Sequence, residues 1–329
     1  MTILVTGSSG HLGEALMRRL RAEGKAARGI DIKPAPFTDL VGSIADRAFV
    51  AGAMMDVTAV IHPATLHKPH VATQTRQDFV DTNISGTLVL LEAAVAAGVG
   101  AFIFTSTTST FGDALVPPAG APAAWITEEV TPVPKNIYGA TKLAAETLCE
   151  LFARRERLPV LVLRTSRFFP EADDSAILRE RYATANVQAN ELLYRRVDVE
   201  DVATVHLLAL ERAAALGFRK YIISATTPFD VADLAALRRD APGVIRRLFP
   251  ECAELYDARG WSLFSEIDRV YVNALARREL GWTPRYDFAH VLDSLRAGKD
   301  FRSPLALAVG SKGYHDRVFE AGPYPVEAR

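Results

Sequence analysis

The stretch Ile3-Leu4-Val5-Thr6-Gly7-Ser8-Ser9-Gly10-His11-Leu12-Gly13 decides the fold. A short apolar run meets three glycines, and Leu12, Leu16 and Leu20 then follow at helical spacing. Glycines at a strand-to-helix turn have separate uses. Gly7 permits the tight turn, Gly10 lets a pyrophosphate approach the backbone, and Gly13 lets helix and strand pack closely. The helix N-terminus adds N–H donors and a positive dipole end for phosphates.

Outward from this loop, short apolar runs alternate with helical patterns. Strands are expected at Ile3–Thr6, Ala27–Ile32, Val57–His62, Ala101–Thr105 and Val160–Arg164. Helices are expected over Leu12–Glu23, Thr82–Ala97 and Ile137–Arg154. That alternation implies an α/β fold: a Rossmann-type, doubly wound parallel sheet with helices on both faces. Residues 1–165 form the dinucleotide-binding domain. The strand-like Arg196-Val197-Asp198-Val199, a helix over Val202–Ala214 and the run Tyr221–Ser224 bring 196–225 back to it. Residues 166–195 and 226–329 are left for a smaller C-terminal substrate-binding lobe and a tail over the carboxyl ends of the strands, where such sheets bind ligands.

Composition narrows the function classes. The 329 residues are 49% hydrophobic, enough for a packed core. A net charge of -1 gives no global attraction to nucleic acid or an anionic membrane. Cys149 and Cys252 lack partners at metal spacing, which suits a reducing compartment. The apolar stretch Ala93–Phe104 is too short to span a bilayer and contains Gly98 and Gly100. No signal peptide is visible, so a soluble, cytoplasmic protein is expected.

The chemistry-bearing residues follow in order. Asp31 ends the second apolar run, 18 residues beyond Gly13. A carboxylate there bonds the adenosine ribose hydroxyls and repels a 2′-phosphate, favouring NAD over NADP, although Lys33 softens the exclusion. Thr105-Ser106-Thr107-Thr108-Ser109-Thr110 places six hydroxyls after a buried strand. β-propensity and turn bonds account for most of them. One is expected to hold a substrate oxygen. Tyr138 and Lys142 are four residues apart, hence on one helical face. A nearby ammonium makes the phenolate of a tyrosine base easier to form. His62, His67 and His70 match no metal-binding spacing, so no metal site is expected. Arg179, Arg181, Arg195 and Arg196 read as a solvated basic face, with binding of an acid or phosphate as the alternative. The tail Gly310–Arg317 is polar and irregular, and either closes over the site or packs on another subunit.

These motifs together resemble the extended short-chain dehydrogenase/reductase superfamily, in its NAD-dependent epimerase/dehydratase branch. Similar segments are Thr6–Gly13, Val60–Ala64, Asn83–Thr87, Leu91–Ala94, Phe102–Gly112, Tyr138–Lys142, Val199–Val202 and Glu279–Pro284. The resemblance implies Tyr138 as base, Lys142 as its electrostatic partner and ribose anchor, and a Ser/Thr that polarises the substrate hydroxyl. Counting back from Phe111-Gly112 places that last role on Thr107.

Cofactor contacts are expected from Gly7, Ser9, Gly10, His11, Leu12 and Gly13 in the loop, and from Asp31 and Ile32 after the second strand. Ser43, Ile44, Pro63, Ala64, Asn83 and Thr105 complete the set with Tyr138 and Lys142. The resemblance also implies a small-molecule substrate and a homodimer built on the helices Thr82–Ala97 and Ile137–Arg154. Two departures limit the substrate. Thr108-Ser109 stands where dehydratases of this branch carry Asp-Glu, which disfavours dehydration. Ser166–Arg195 lacks the Asn- and Gly-rich segment with which 4-epimerases grip a nucleotide diphosphate. The expected activity is therefore NAD-dependent oxidoreduction of a secondary hydroxyl on a sugar or polyhydroxy compound, with nucleotide-sugar epimerisation as the alternative. A non-catalytic NAD sensor is a remote third reading.

Overall fold

The computed structural model describes residues 2–313, together with His315 and Phe319. Its main sheet has seven strands. They are β1 (Thr2–Thr6), β2 (Ala27–Asp31), β3 (Leu40–Val41), β4 (Val57–His62), β5 (Ala101–Thr107), β7 (Val160–Thr165) and β8 (Phe218–Ile223), in the order β3-β2-β1-β4-β5-β7-β8. All pairings are parallel. β6 (Ala124–Ile126) and β9 (Arg269–Tyr271) form a separate parallel pair. The chain winds outward from β1 to one edge and from β4 to the other. The sheet therefore has its switch point between β1 and β4, where a crevice opens above the strand ends.

Alternation along the strands sends Ile3 and Val5 to one face and Leu4 to the other. The first face is covered by α1 (His11–Ala22) and α8 (Val199–Leu216); α11 (Ala274–Leu280) and α13 (Pro304–Val309) join the same core. The second face carries α2 (Arg47–Ala53), α4 (Gly86–Ala96) and α5 (Ile137–Arg155). Short α3 (Arg76–Phe79) runs into α4 through a π-turn over Val80–Ser85. By length and composition, the helical run Arg76–Ala96 is the one described helix that meets the requirement for crossing a membrane. It nevertheless buries Val89, Leu90, Leu91 and Ala94 in this core. A second core unites α7 (Thr184–Glu191), α9 (Leu234–Leu248), α10 (Cys252–Asp257) and α12 (Phe288–Arg296) with Val270 of β9. Helix α6 (Ala176–Arg181) lies at its edge.

Two expectations need correcting. The segment Arg196–Val199 is not a strand: only Arg196 forms a bridge, to Arg167. Asp198 instead caps α8 by accepting the Glu200 amide at 2.8 Å, so the helix starts at Val199. The helix expected from Thr82 is a longer run widened by the π-turn, which holds Asn83 inward. From the tail motif, Tyr314, Asp316 and Arg317 lie outside the described residues.

Candidate active site

A cleft of about 920 Å³ opens at the β1/β4 switch point. Gly7, Ser9, Gly10, His11, Leu12 and Gly13 line one wall. Gly7 turns with φ +64°, and a Cβ on Gly13 would stand 1.9 Å from the Gly7 carbonyl oxygen, so only glycine allows α1 this close to the turn. Gly10 caps α1 without a side-chain bond, which leaves the first amides facing the cleft. Asp31 leaves the end of β2 and accepts the Ser9 amide at 3.0 Å and the Lys33 amide at 2.9 Å. Ile32, Ser43, Ile44, Pro63, Ala64 and Thr105 also line the cleft. These residues fit a dinucleotide: a close glycine backbone, an uncapped helix N-terminus and a ribose-side carboxylate in one crevice.

The second wall brings together Thr107 and Tyr138. Asn136 accepts the Gly139 amide at 3.0 Å and starts α5 two residues before Tyr138. Tyr138 and Thr107 both line the cleft, and Thr107 lies near enough to the phenol to favour its ionised form. One turn on, Lys142 is 1% exposed. It donates to the Thr105 carbonyl at 2.7 Å and sits 4.0 Å from the centroid of the Phe104 ring. Burial dominates both groups. It pushes Tyr138 up to about 12, against the opposing effect of Thr107. It also brings Lys142 down to about 7, with Cys149 and Glu146 favouring its charge. Lys142 and Asn83 sit behind the cleft wall rather than on its surface. Asn83 accepts the Leu66 amide at 2.8 Å and donates to Thr141 at 3.1 Å, tying the segment after β4 to α5.

The Lys142 value carries a stability prediction. A lysine depressed by burial costs nothing to fold above its ordinary range, and costs most below its folded value. Lys142→Met is expected to be inactive yet about 1–3 kcal/mol more stable than the parent at neutral pH. The gain should shrink toward pH 10, as urea titrations at both pH values will show.

Beneath the site lies a buried ion pair. Arg164 of β7 donates to both Glu146 oxygens, at 2.7 Å from Nη2 to Oε2 and 3.0 Å from Nε to Oε1, and Ser106 donates to Oε1 at 2.6 Å. It joins α5, β5 and β7 directly under Thr105 and Thr107. His62 is fully buried, its ring bonded to Thr6 at 2.7 Å and Thr87 at 3.0 Å, so it serves the packing of β1, β4 and α4.

The far end of the cleft is basic. Lys68, Lys135, Arg167, Arg195 and Arg269 line it, but Lys68 pairs with Asp174, Arg167 with Asp173, Arg195 with Glu191 and Arg269 with Asp268. The solvated-face reading fails for two of the four arginines. Arg195 and Arg196 both pair at 2.8 Å with the buried Glu191. Helix α7 places Glu191 at its end, and the turn that follows wraps both arginines around it. The buried Arg195 Nε has no hydrogen-bond partner, nor does the buried Ser166 hydroxyl on the cleft wall.

His67 is a site residue that sequence reasoning passed over. Its ring lies 6.2 Å from that of Tyr138, and burial holds it neutral, well below the usual histidine range. No local pattern marks it, because the contact depends on how the segment after β4 folds back.

Known proteins agree with this geometry. The chain is 26% identical over 330 residues to UDP-glucose 4-epimerase from Rhizobium meliloti (strain 1021), covering 89% of this chain and 95% of that one. It is 26% identical over 353 residues to dTDP-glucose 4,6-dehydratase from Streptomyces antibioticus, covering 93% and 95%. A short-chain dehydrogenase/reductase superfamily protein from Agrobacterium tumefaciens, solved with bound NAD, superposes with TM-score 0.63 at 25% identity, covering 91% of this chain and 98% of that one. The profile of the NAD dependent epimerase/dehydratase family matches residues 3–224. The chain therefore belongs to the NAD dependent epimerase/dehydratase family, and its cofactor is NAD.

Proposed function

We propose that this protein oxidises a secondary hydroxyl of a sugar or polyhydroxy substrate, with Tyr138 as base. The observation that carries the reading is that Tyr138 and Thr107 line one cleft with the glycine loop. Bound NAD supplies the hydride acceptor. Thr107 orients the substrate oxygen, and Tyr138 takes its proton as the carbon is oxidised. Lys142, one turn on and anchored to the Thr105 carbonyl, is the proposed electrostatic partner of the phenolate. Neutral His67 faces the same oxygen-binding region from the opposite rim. Lys135 on the cleft wall and the unpartnered Arg195 Nε favour a substrate carrying an acid or phosphate group. A homodimer through α4 and α5 belongs to the same reading; α5 leaves Leu151 40% exposed.

The relatives favour a second course, in which the ketone turns over and regains hydride on its other face, leaving no net NADH. The missing nucleotide-gripping segment favours net oxidation instead. Incubation with sugars, sugar acids and nucleotide sugars, read by reduced-nicotinamide absorbance and by product stereochemistry, separates them. Turnover of none of these classes contradicts the proposal.

Asp31 sets the cofactor preference in this reading. Asp31→Asn removes the charge while keeping much of the hydrogen bonding. NAD affinity should fall by about tenfold and discrimination against NADP should shrink, since a bond to a charged acceptor contributes roughly 1.5–3 kcal/mol. Calorimetric titration with each dinucleotide checks this.

A further inference from the structure

The residues after α13 meet the cofactor cleft at both rims. On one side, a single Glu171 oxygen accepts from Ser311 Oγ at 2.7 Å and from the Lys312 and Gly313 amides at 3.1 and 3.3 Å. The same oxygen is hydrogen-bonded to His11 Nε2 at 2.8 Å, at the first turn of α1. Burial raises this carboxyl, but the His11 and Ser311 bonds outweigh it and hold the group down at about 2. On the other side, His315 Nε2 lies 3.1 Å from the Pro69 carbonyl oxygen, and its ring packs edge-on to His70 at 5.4 Å. The two anchor points stand on α1 and on the segment after β4, the two sides of the switch point. Lys312 and Gly313 line the same cleft as the glycine loop.

Electrostatics gives Lys312 a purpose. Glu14 lies in the first turn of α1, only 4% exposed, and lines the cleft beside the anion-binding amides. An uncompensated carboxylate there repels a pyrophosphate. Arg18 donates to Glu14 at 2.8 Å from the outer side, and the Lys312 ammonium pairs with its other oxygen. Lys312 thus turns a repulsive position into a neutral or attractive one.

We propose that Ser311–Gly313 form an outer wall of the dinucleotide site, with Lys312 as its pyrophosphate-facing cation, and that this wall retains the cofactor between turnovers. The proposal rests on the glycine loop being the NAD site. It lies beyond the stretch matched by the family profile, residues 3–224. A retained cofactor is the kinetic requirement of hydride return to the same substrate, so the wall bears directly on the choice between epimerisation and net oxidation.

The test uses holoenzyme diluted into an NAD-consuming scavenger, with bound NAD assayed over time. Lys312→Ala is expected to release NAD about tenfold faster and Lys312→Arg within about twofold of the parent, the scale of one partly buried charge pair. Glu171→Gln, which weakens the latch without removing volume, should also speed release. Parental release rates in both Lys312→Ala and Glu171→Gln overturn the wall and leave the Tyr138 chemistry standing. A parent protein that binds no NAD removes the reading of the site on which the wall rests.

Discussion

Tyr138→Phe is expected to lose turnover by about 10³-fold while keeping its fold and its NAD, the scale of a lost general base. The substitution deletes one hydroxyl from a side chain that is 7% exposed, so the ring still fills its place on α5. What disappears is the hydroxyl beside Thr107 that is proposed to take the substrate proton. Thr107 keeps its bond from the Ser109 amide at 3.1 Å, so the strand end stays in position. The loss should therefore fall on kcat, with KM and NAD affinity within about threefold of the parent, as expected for an interaction made chiefly in the transition state. Steady-state kinetics with a NAD titration in parallel reads both quantities. Retained turnover would transfer the base to another group, of which His67 is the nearest candidate ring.

Arg164→Leu is expected to cost about 3–5 kcal/mol, because it leaves Glu146 as an uncompensated buried carboxylate. Glu146 is fully buried and Arg164 is 3% exposed, so water cannot replace the lost partner cheaply. The arginine also stacks over the Phe111 ring at 4.9 Å, a contact that leucine keeps only in part. Urea unfolding of the parent and the variant measures this. Replacing Glu146 with leucine in the same chain should restore much of the loss. If Arg164→Leu unfolds at the parental urea concentration, the pair is not what holds β5, β7 and α5 together beneath Thr107.

The sequence made local features legible and long-range ones obscure. The glycine loop, β4 and the start of α5 depend on neighbouring residues: apolar runs, a glycine turn and a capping asparagine. Their bounds fall within a residue or two of expectation. The hydroxyl strand offered six candidates, of which the resemblance picked out Thr107, and α5 brings Tyr138 to the same cleft wall. Arg196–Val199 looked strand-like because it alternates, but the Asp198 cap overrode the alternation. The Glu171–His11 bond joins residues 160 apart, and no periodicity encodes it. Arg195 was visible as a charge, yet its burial around Glu191 required the turn after α7. Lys312 was visible too, in a tail whose partners lie on α1.

The central claim is that a substrate hydroxyl is oxidised beside Tyr138 by transfer of hydride to NAD. Rapid mixing of NAD-loaded protein with a substrate deuterated at the reacting carbon tests it most directly. The account predicts that reduced-nicotinamide absorbance appears during turnover, more slowly for the deuterated substrate, with deuterium carried onto the nicotinamide. Product formed at full rate with no reduced nicotinamide, and with deuterium lost to water, would contradict it.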